Sequence, residues 1–445
     1  MDEKNTFKRT LKTRDLIIYG LIFMIPLAPA GMYGTFLSPS SGMVALCYLI
    51  GMIAMFFTGL SYKIMSQKYP TSGSVYIYVQ KGLSPALGFL TGWSILLDYL
   101  LLPATVIIIG SFSAKSLFPA VPLWVWALIF VSFSTVINII GIDLMSKCSW
   151  ILFILQMVVI LAFIICVIRL LLNGTVHFNT IAFYNPKGFH LSGILQATGI
   201  VVLSYLGFDA ISTLAEEAIA PEKSVGRAIL LSILIIGVIF IVITMFCGIA
   251  YPNYQKLNPD TAFLDIIQFV GGKWLTFFTT ITLILSFGVA TTQASQAAVA
   301  RILFAMGRDE ILPKQLAYIS KKSHAPYVAT IVVGIIITPI AIFCDLNLIS
   351  TMVSFGALFG FILLNITIIW KFFISDFSFK KKHDIKSILS YFVFPLIGLI
   401  ITFCVFLNLG RVAHTVGFIW LSVGFGYLLL MTKGFRNPVP QLDMN

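Results

Sequence analysis

The chain has 445 residues, of which 59% are hydrophobic and only 10% charged. An ordinary soluble domain carries roughly 25% charge, so the composition excludes a soluble enzyme, a disordered chain and a disulfide-stapled secreted module. It requires a protein embedded in a membrane; the net charge of +12 invites a nucleic-acid reading that its distribution removes.

A spanning helix needs about 20 mostly apolar residues. Twelve such runs lie near 16–37, 43–65, 86–113, 122–142, 149–171, 192–217, 227–250, 274–301, 327–344, 348–370, 391–409 and 413–432. They predict an all-α membrane protein with twelve transmembrane helices. The first run is interrupted, because Pro26, Pro29, Gly31 and Gly34 crowd its middle. Each proline removes a backbone donor and clashes with the preceding turn. The segment 70–85 is too short and polar to span and reads as an interfacial connection. The sixth run is interrupted too, with Gly207 beside Asp209 inside the bilayer.

Five spans separate the two interruptions, an odd number, so the second copy enters the membrane inverted. Matched broken helices in two inverted halves point to the binding site of a secondary transporter. The expected organisation is a cytoplasmic N-terminus (1–15), a first repeat of helices 1–5 (16–171), a second of helices 6–10 (192–370), two further helices (391–432) and a cytoplasmic tail (433–445). No cleaved leader is expected, since the polar N-terminus runs into a long apolar segment without a cleavage site.

With the loops numbered alternately, 23 of the 29 lysines and arginines fall on one side. The positive-inside rule makes that side cytoplasmic, together with both termini. The basic excess then faces anionic lipid of the inner membrane rather than nucleic acid. The six cysteines form no CxxC pair or Cys/His cluster, so no metal site, cofactor or disulfide frame is expected. No obligate protein partner is indicated.

Few charges lie at membrane depth. Asp98 is twelve residues into the third run, roughly 18 Å deep, with Ser94 and Thr105 on the same helical face. Asp209 sits in the sixth-run break, followed by Ser212, Thr213 and Glu216. Intramembrane carboxylates are costly and mark functional sites by default. No Lys, Arg or His sits mid-span, so the counter-charge is expected to be a proton, a metal cation or a cationic substrate. Asp98 and Asp209 are the candidate proton-coupling residues. The candidate substrate site adds Ala28 and Gly31 in the first break, Gly207 and Phe208 in the sixth, and Ser94, Phe287 and Thr292 on spans three and eight. Tyr33, Tyr99 and Tyr205 flank the breaks, where aromatic faces hold ammonium groups.

The runs 69–78 (YPTSGSVYIY), 88–99 (GFLTGWSILLDY) and 301–309 (RILFAMGRD) with Pro313 resemble the amino acid–polyamine–organocation transporter superfamily along almost the whole chain. The runs 207–217, 355–358 and 435–440 are most similar to its bacterial putrescine importers. The resemblance implies a 5+5 inverted repeat of the LeuT type, and proton-driven uptake of a small diamine through broken helices 1 and 6 with helices 3 and 8. Where those importers place an aspartate in the first break, this chain has Gly31. An amino acid permease or exchanger is therefore the second expectation, with the substrate carboxylate held by first-break amides. A channel or receptor is a third, disfavoured by the inverted breaks.

Overall fold

The computed structural model describes residues 9–69, 75–140, 144–308, 313–320, 325–375 and 384–439. Part of the 69–78 run, Asp309 and the side chain of Glu216 lie outside the described residues.

Among the described residues the chain is helical, apart from one isolated β-bridge. Among the described residues ten helices are long and apolar enough to cross a membrane, and an eleventh crossing arises if one bent pair counts as a single span. That pair is α1 (Thr13–Phe23) and α2 (Ala28–Ser40), bent by 49°. The residue before a proline avoids the α region, and Ile25, before Pro26, takes φ +51°. A positive φ is rare for a β-branched residue and costs of order 1–3 kcal/mol.

α3 (Val44–Lys68) leads through the short amphipathic α4 (Val75–Gly82) into α5 (Pro85–Leu117), about 50 Å long at 1.5 Å per residue. α6 (Leu123–Ile140) and α7 (Leu144–Leu172) follow. α8 (Leu191–Tyr205) stops at Gly207, whose φ of +119° only glycine adopts readily. The chain continues as a 3-10 helix, Asp209–Glu217, so the sixth segment is broken as the sequence predicts.

α9 (Pro221–Ala250) precedes α10 (Ala262–Leu283), which is kinked at Gly272, a π-helical segment Ile284–Thr291 and α11 (Thr292–Arg308). The π segment and α5 cross backbone on backbone: a Cβ on Gly110 would lie 2.6 Å from the Gly288 Cα. Small residues permit such close membrane packing. α12 (Tyr327–Phe343) is apolar but short, and α13 (Leu346–Ile368), α14 (Ile385–Ile388), α15 (Phe394–Leu407) and α16 (Arg411–Met431) complete the chain.

α5 crosses the centre, packed on α13, α6, α11 and the π segment. α6, α7, α15 and α16 expose apolar side chains such as Trp150, Ile165, Phe403 and Ile419, as expected of a surface that meets lipid tails. Both ends carry a closure. At the end bearing most lysines and arginines, Thr10 and Leu11 donate to the Glu217 carbonyl (2.9 and 3.0 Å) and Ile219 to that of Leu11 (2.8 Å). At the opposite end, α2 meets the 251–261 loop so closely at Gly34 that any side chain there would strike the Pro259 carbonyl.

Candidate functional site

A cavity of about 50 Å³ lies where the two broken segments meet α5 and the eighth segment. The first break contributes Met24, Ile25, Ala28 and Met32, and α5 contributes Leu102, Thr105 and Ile109. The sixth contributes Ser204 and Leu206, and the eighth Phe287, Thr291 and Ser295. Ligand pockets run from roughly 300 to 1,000 Å³, so a substrate enters only after these walls part. The lining is apolar with four hydroxyls. Thr105 donates to the Leu101 carbonyl (3.1 Å), Ser295 to that of Thr291 (2.7 Å), and Ser204 pairs with the Tyr48 hydroxyl (2.9 Å).

Of the candidate residues, Ala28 and Phe287 line this cavity, and no carboxylate does. The fixed negative charge expected in the cavity is instead displaced toward the basic end. Asp98 precedes cavity-lining Leu102 by one turn of α5 and Thr105 by two, about 6 and 10 Å, and packs beside Gly356 of α13. Asp209 directly follows the sixth break, and its Oδ1 accepts the Gly207 N–H at 3.1 Å. That bond caps the broken backbone.

Beside the carboxylates, toward the basic end, lies an aromatic floor. Phe208 is fully buried, 5.5 Å from the Tyr62 ring and 5.4 Å from Phe361; Tyr62 also meets Tyr78 at 5.9 Å. Among the described residues the buried Tyr62 hydroxyl has no hydrogen-bond partner.

Gly31 and Tyr33 line a second, smaller cavity toward the opposite end, with Ser113, Asp260 and Phe263. A Cβ on Gly31 would stand 2.6 Å from Ile109 Cγ2 and 3.3 Å from the Phe287 ring, so Gly31 lies at the constriction between the two cavities. Three hydroxyls are held internally: Ser94 donates to the Gly356 carbonyl (3.1 Å), Tyr205 to Tyr48 (2.8 Å) and Thr292 to Phe287 (2.8 Å).

The residue that sequence reasoning missed is Gln156 of α7. Its Oε1 accepts the Leu27 N–H in the first break at 3.1 Å, and its Nε2 donates to the Ser286 Oγ at 3.1 Å. A lone glutamine in a window of mean hydropathy 3.3 was the available signal. Four further break donors are also taken. Met24 bonds Gly20 (3.0 Å), Ile25 bonds Ile22 (3.4 Å), Ala28 bonds Ile25 (2.8 Å) and Ala30 bonds Leu27 (3.0 Å), while prolines 26 and 29 have no N–H.

Comparison with known proteins agrees with this architecture. Residues 30–414 match the profile of the amino acid permease family. The low-affinity putrescine importer PlaP of Escherichia coli (strain K12) is 33% identical over 445 aligned residues, covering 98% of this chain and 96% of the importer. The branched-chain amino acid permease BcaP of Bacillus subtilis (strain 168) is 25% identical, with 97% and 94% covered. The methylthioribose transporter of the same organism is also 25% identical, with 95% and 93% covered.

Proposed function

The chain belongs to the amino acid permease family of transporters, and from that premise we propose that it imports a small organic cation, a polyamine such as putrescine, with protons, by alternating access. The observation that carries the choice of an amine is the state of the first break. The amide donors of Met24, Ile25, Leu27, Ala28 and Ala30 are bonded within the protein, which leaves none of these to hold a substrate carboxylate. Two carboxylates lie on the basic side of the cavity, together with a Tyr62 hydroxyl that has no partner among the described residues, suited to an ammonium group. The putrescine importer among the relatives supports the same choice.

In this reading Asp98 and Asp209 take the substrate ammonium or the coupled proton as the floor at Phe208 opens. The cavity walls, Ala28 and Phe287 among them, hold the methylene chain. Twelve crossings follow if the bent pair is one span and α12 is another. The two breaks then occupy matching places in inverted repeats, 16–171 and 192–370, with the helices of 391–432 outside the repeats. The protein would reside in the cytoplasmic membrane with both termini inside, by the charge count. The amino acid permease reading draws on BcaP and on the apolar cavity walls.

Thermal-shift screening of the purified protein against putrescine, cadaverine, spermidine, agmatine and common amino acids tests the choice, since a ligand that binds the folded state stabilises it. Stabilisation by diamines supports it; stabilisation by amino acids alone refutes it.

A further inference from the structure

Three lysines converge where α3, α4 and the continuation of α13 end together. The ammonium of Lys81 stands 5.4 Å from the centre of the Tyr69 ring, and that of Lys371 stands 5.2 Å from the same ring. Lys68 stands 5.8 Å from the ring of Phe372, the neighbour of Lys371. Among the described residues none of the three forms an ion pair. Like charges this close repel, and aromatic faces offset only part of that, about 0.5–1 kcal/mol at an exposed ring.

Part of the arrangement is ordinary capping. Lys371 donates to the Lys81 carbonyl at 2.6 Å, closing the C-terminal end of α4 as a cation does. Capping does not account for Lys81 and Lys68, whose charges stay exposed beside it. The surroundings indicate where the counter-charge comes from. Trp370 and Ile374, flanking Lys371, are 49% and 53% exposed. Large apolar side chains with tryptophan among them mark the rim of the bilayer. A group of cations at that rim meets lipid headgroups, and each Lys or Arg there gains about 1 kcal/mol from anionic lipid.

We propose that Lys68, Lys81 and Lys371, set around Tyr69 and Phe372, form a binding site for the phosphate of an anionic lipid headgroup. Seating it neutralises the cluster and fixes α4 against α13, which it already meets so tightly that a side chain at Gly82 would strike Thr367. α4 also carries Tyr78, packed on Tyr62 in the aromatic floor. A lipid bound here therefore steadies one wall of the floor that has to open. The site does not depend on which amine or amino acid is carried.

The test is native mass spectrometry of the full chain released from mixed micelles holding equal phosphatidylglycerol and phosphatidylcholine. Wild-type protein should retain phosphatidylglycerol preferentially. Lys81→Gln with Lys371→Gln should lose that preference, by about fivefold per lysine removed. Lys68→Gln alone provides the readout if the double variant does not fold. A double variant, or failing that Lys68→Gln, that keeps the wild-type preference overturns the site. A parallel thermal-shift arm compares phosphatidylglycerol with millimolar inorganic phosphate. Stabilisation by the lipid alone supports the headgroup, whereas equal stabilisation by free phosphate assigns the site to an aqueous anion and refutes the lipid.

Discussion

The Leu27 N–H, exposed by the break in the first span, donates at 3.1 Å to the side-chain oxygen of Gln156, 129 residues further along the chain. Pro26 guarantees the break and Gln156 holds it, while the other end of the same amide reaches Ser286 in the π segment of the eighth span. One neutral side chain thus ties together the broken helix, α7 and the helix segment that faces it across the cavity.

Gln156→Leu should leave the Leu27 N–H buried and unpaired, at a cost of about 1–3 kcal/mol. Thermal denaturation should register that loss, and the maximal rate of uptake should fall with it. Ser286→Ala should cost less, because a freed side-chain amide reorients and a backbone N–H in a fixed break does not. Equal stability of Gln156→Leu and wild type would show that the break does not need this contact.

Asp98→Asn should preserve folding and weaken amine binding. A hydrogen bond to a charged group contributes roughly 1.5–3 kcal/mol, so the loss of affinity for putrescine should be about 10- to 150-fold. Calorimetric titration of both proteins measures it, and unchanged affinity would remove Asp98 from the substrate path.

Gly31 is in regular helix, outside the positive-φ positions, so its requirement is space. Gly31→Ala should destabilise the protein by about 1–3 kcal/mol through overpacking against Ile109, and Ile109→Ala in the same chain should restore most of that. Within that relieved background, Gly31→Asp places a carboxylate between the two cavities. Putrescine binding should hold or strengthen; an amino acid carboxylate would be repelled.

Single cysteines at Gln315 or Asn437, in a chain stripped of its own, should react with an impermeant maleimide only from the cytoplasm, and one at Asn258 only from outside. All three positions are exposed. Reversed labelling would overturn the orientation and the assignment of the floor to the inner side.

Much of the fold was legible because membrane burial writes itself into composition. Each apolar run falls on helical structure, and both breaks lie where proline or glycine forbids continuous helix. The sequence reading starts the eighth span near 274, beside the kink at Gly272 where φ of +66° begins a new helical segment; the helical turns before it, from Ala262, went unread because they lie outside the apolar run. The candidate carboxylates were legible as residues, and their depth relative to the cavity was not. Sequence spacing put Asp98 and Asp209 in the bilayer, but only the packing of α5 against the breaks shows them below the cavity rather than in its wall. Gln156 was invisible to charge counting because it is neutral, and its role depends on a contact between distant segments.

The most direct test of the account is accumulation of labelled putrescine in proteoliposomes under an imposed inward proton gradient. The account predicts concentrative, saturable uptake that collapses with the gradient, is competed by cadaverine and not by leucine, and is lost in Asp98→Asn. Gradient-driven accumulation of an amino acid, with putrescine neither transported nor competing, would contradict it.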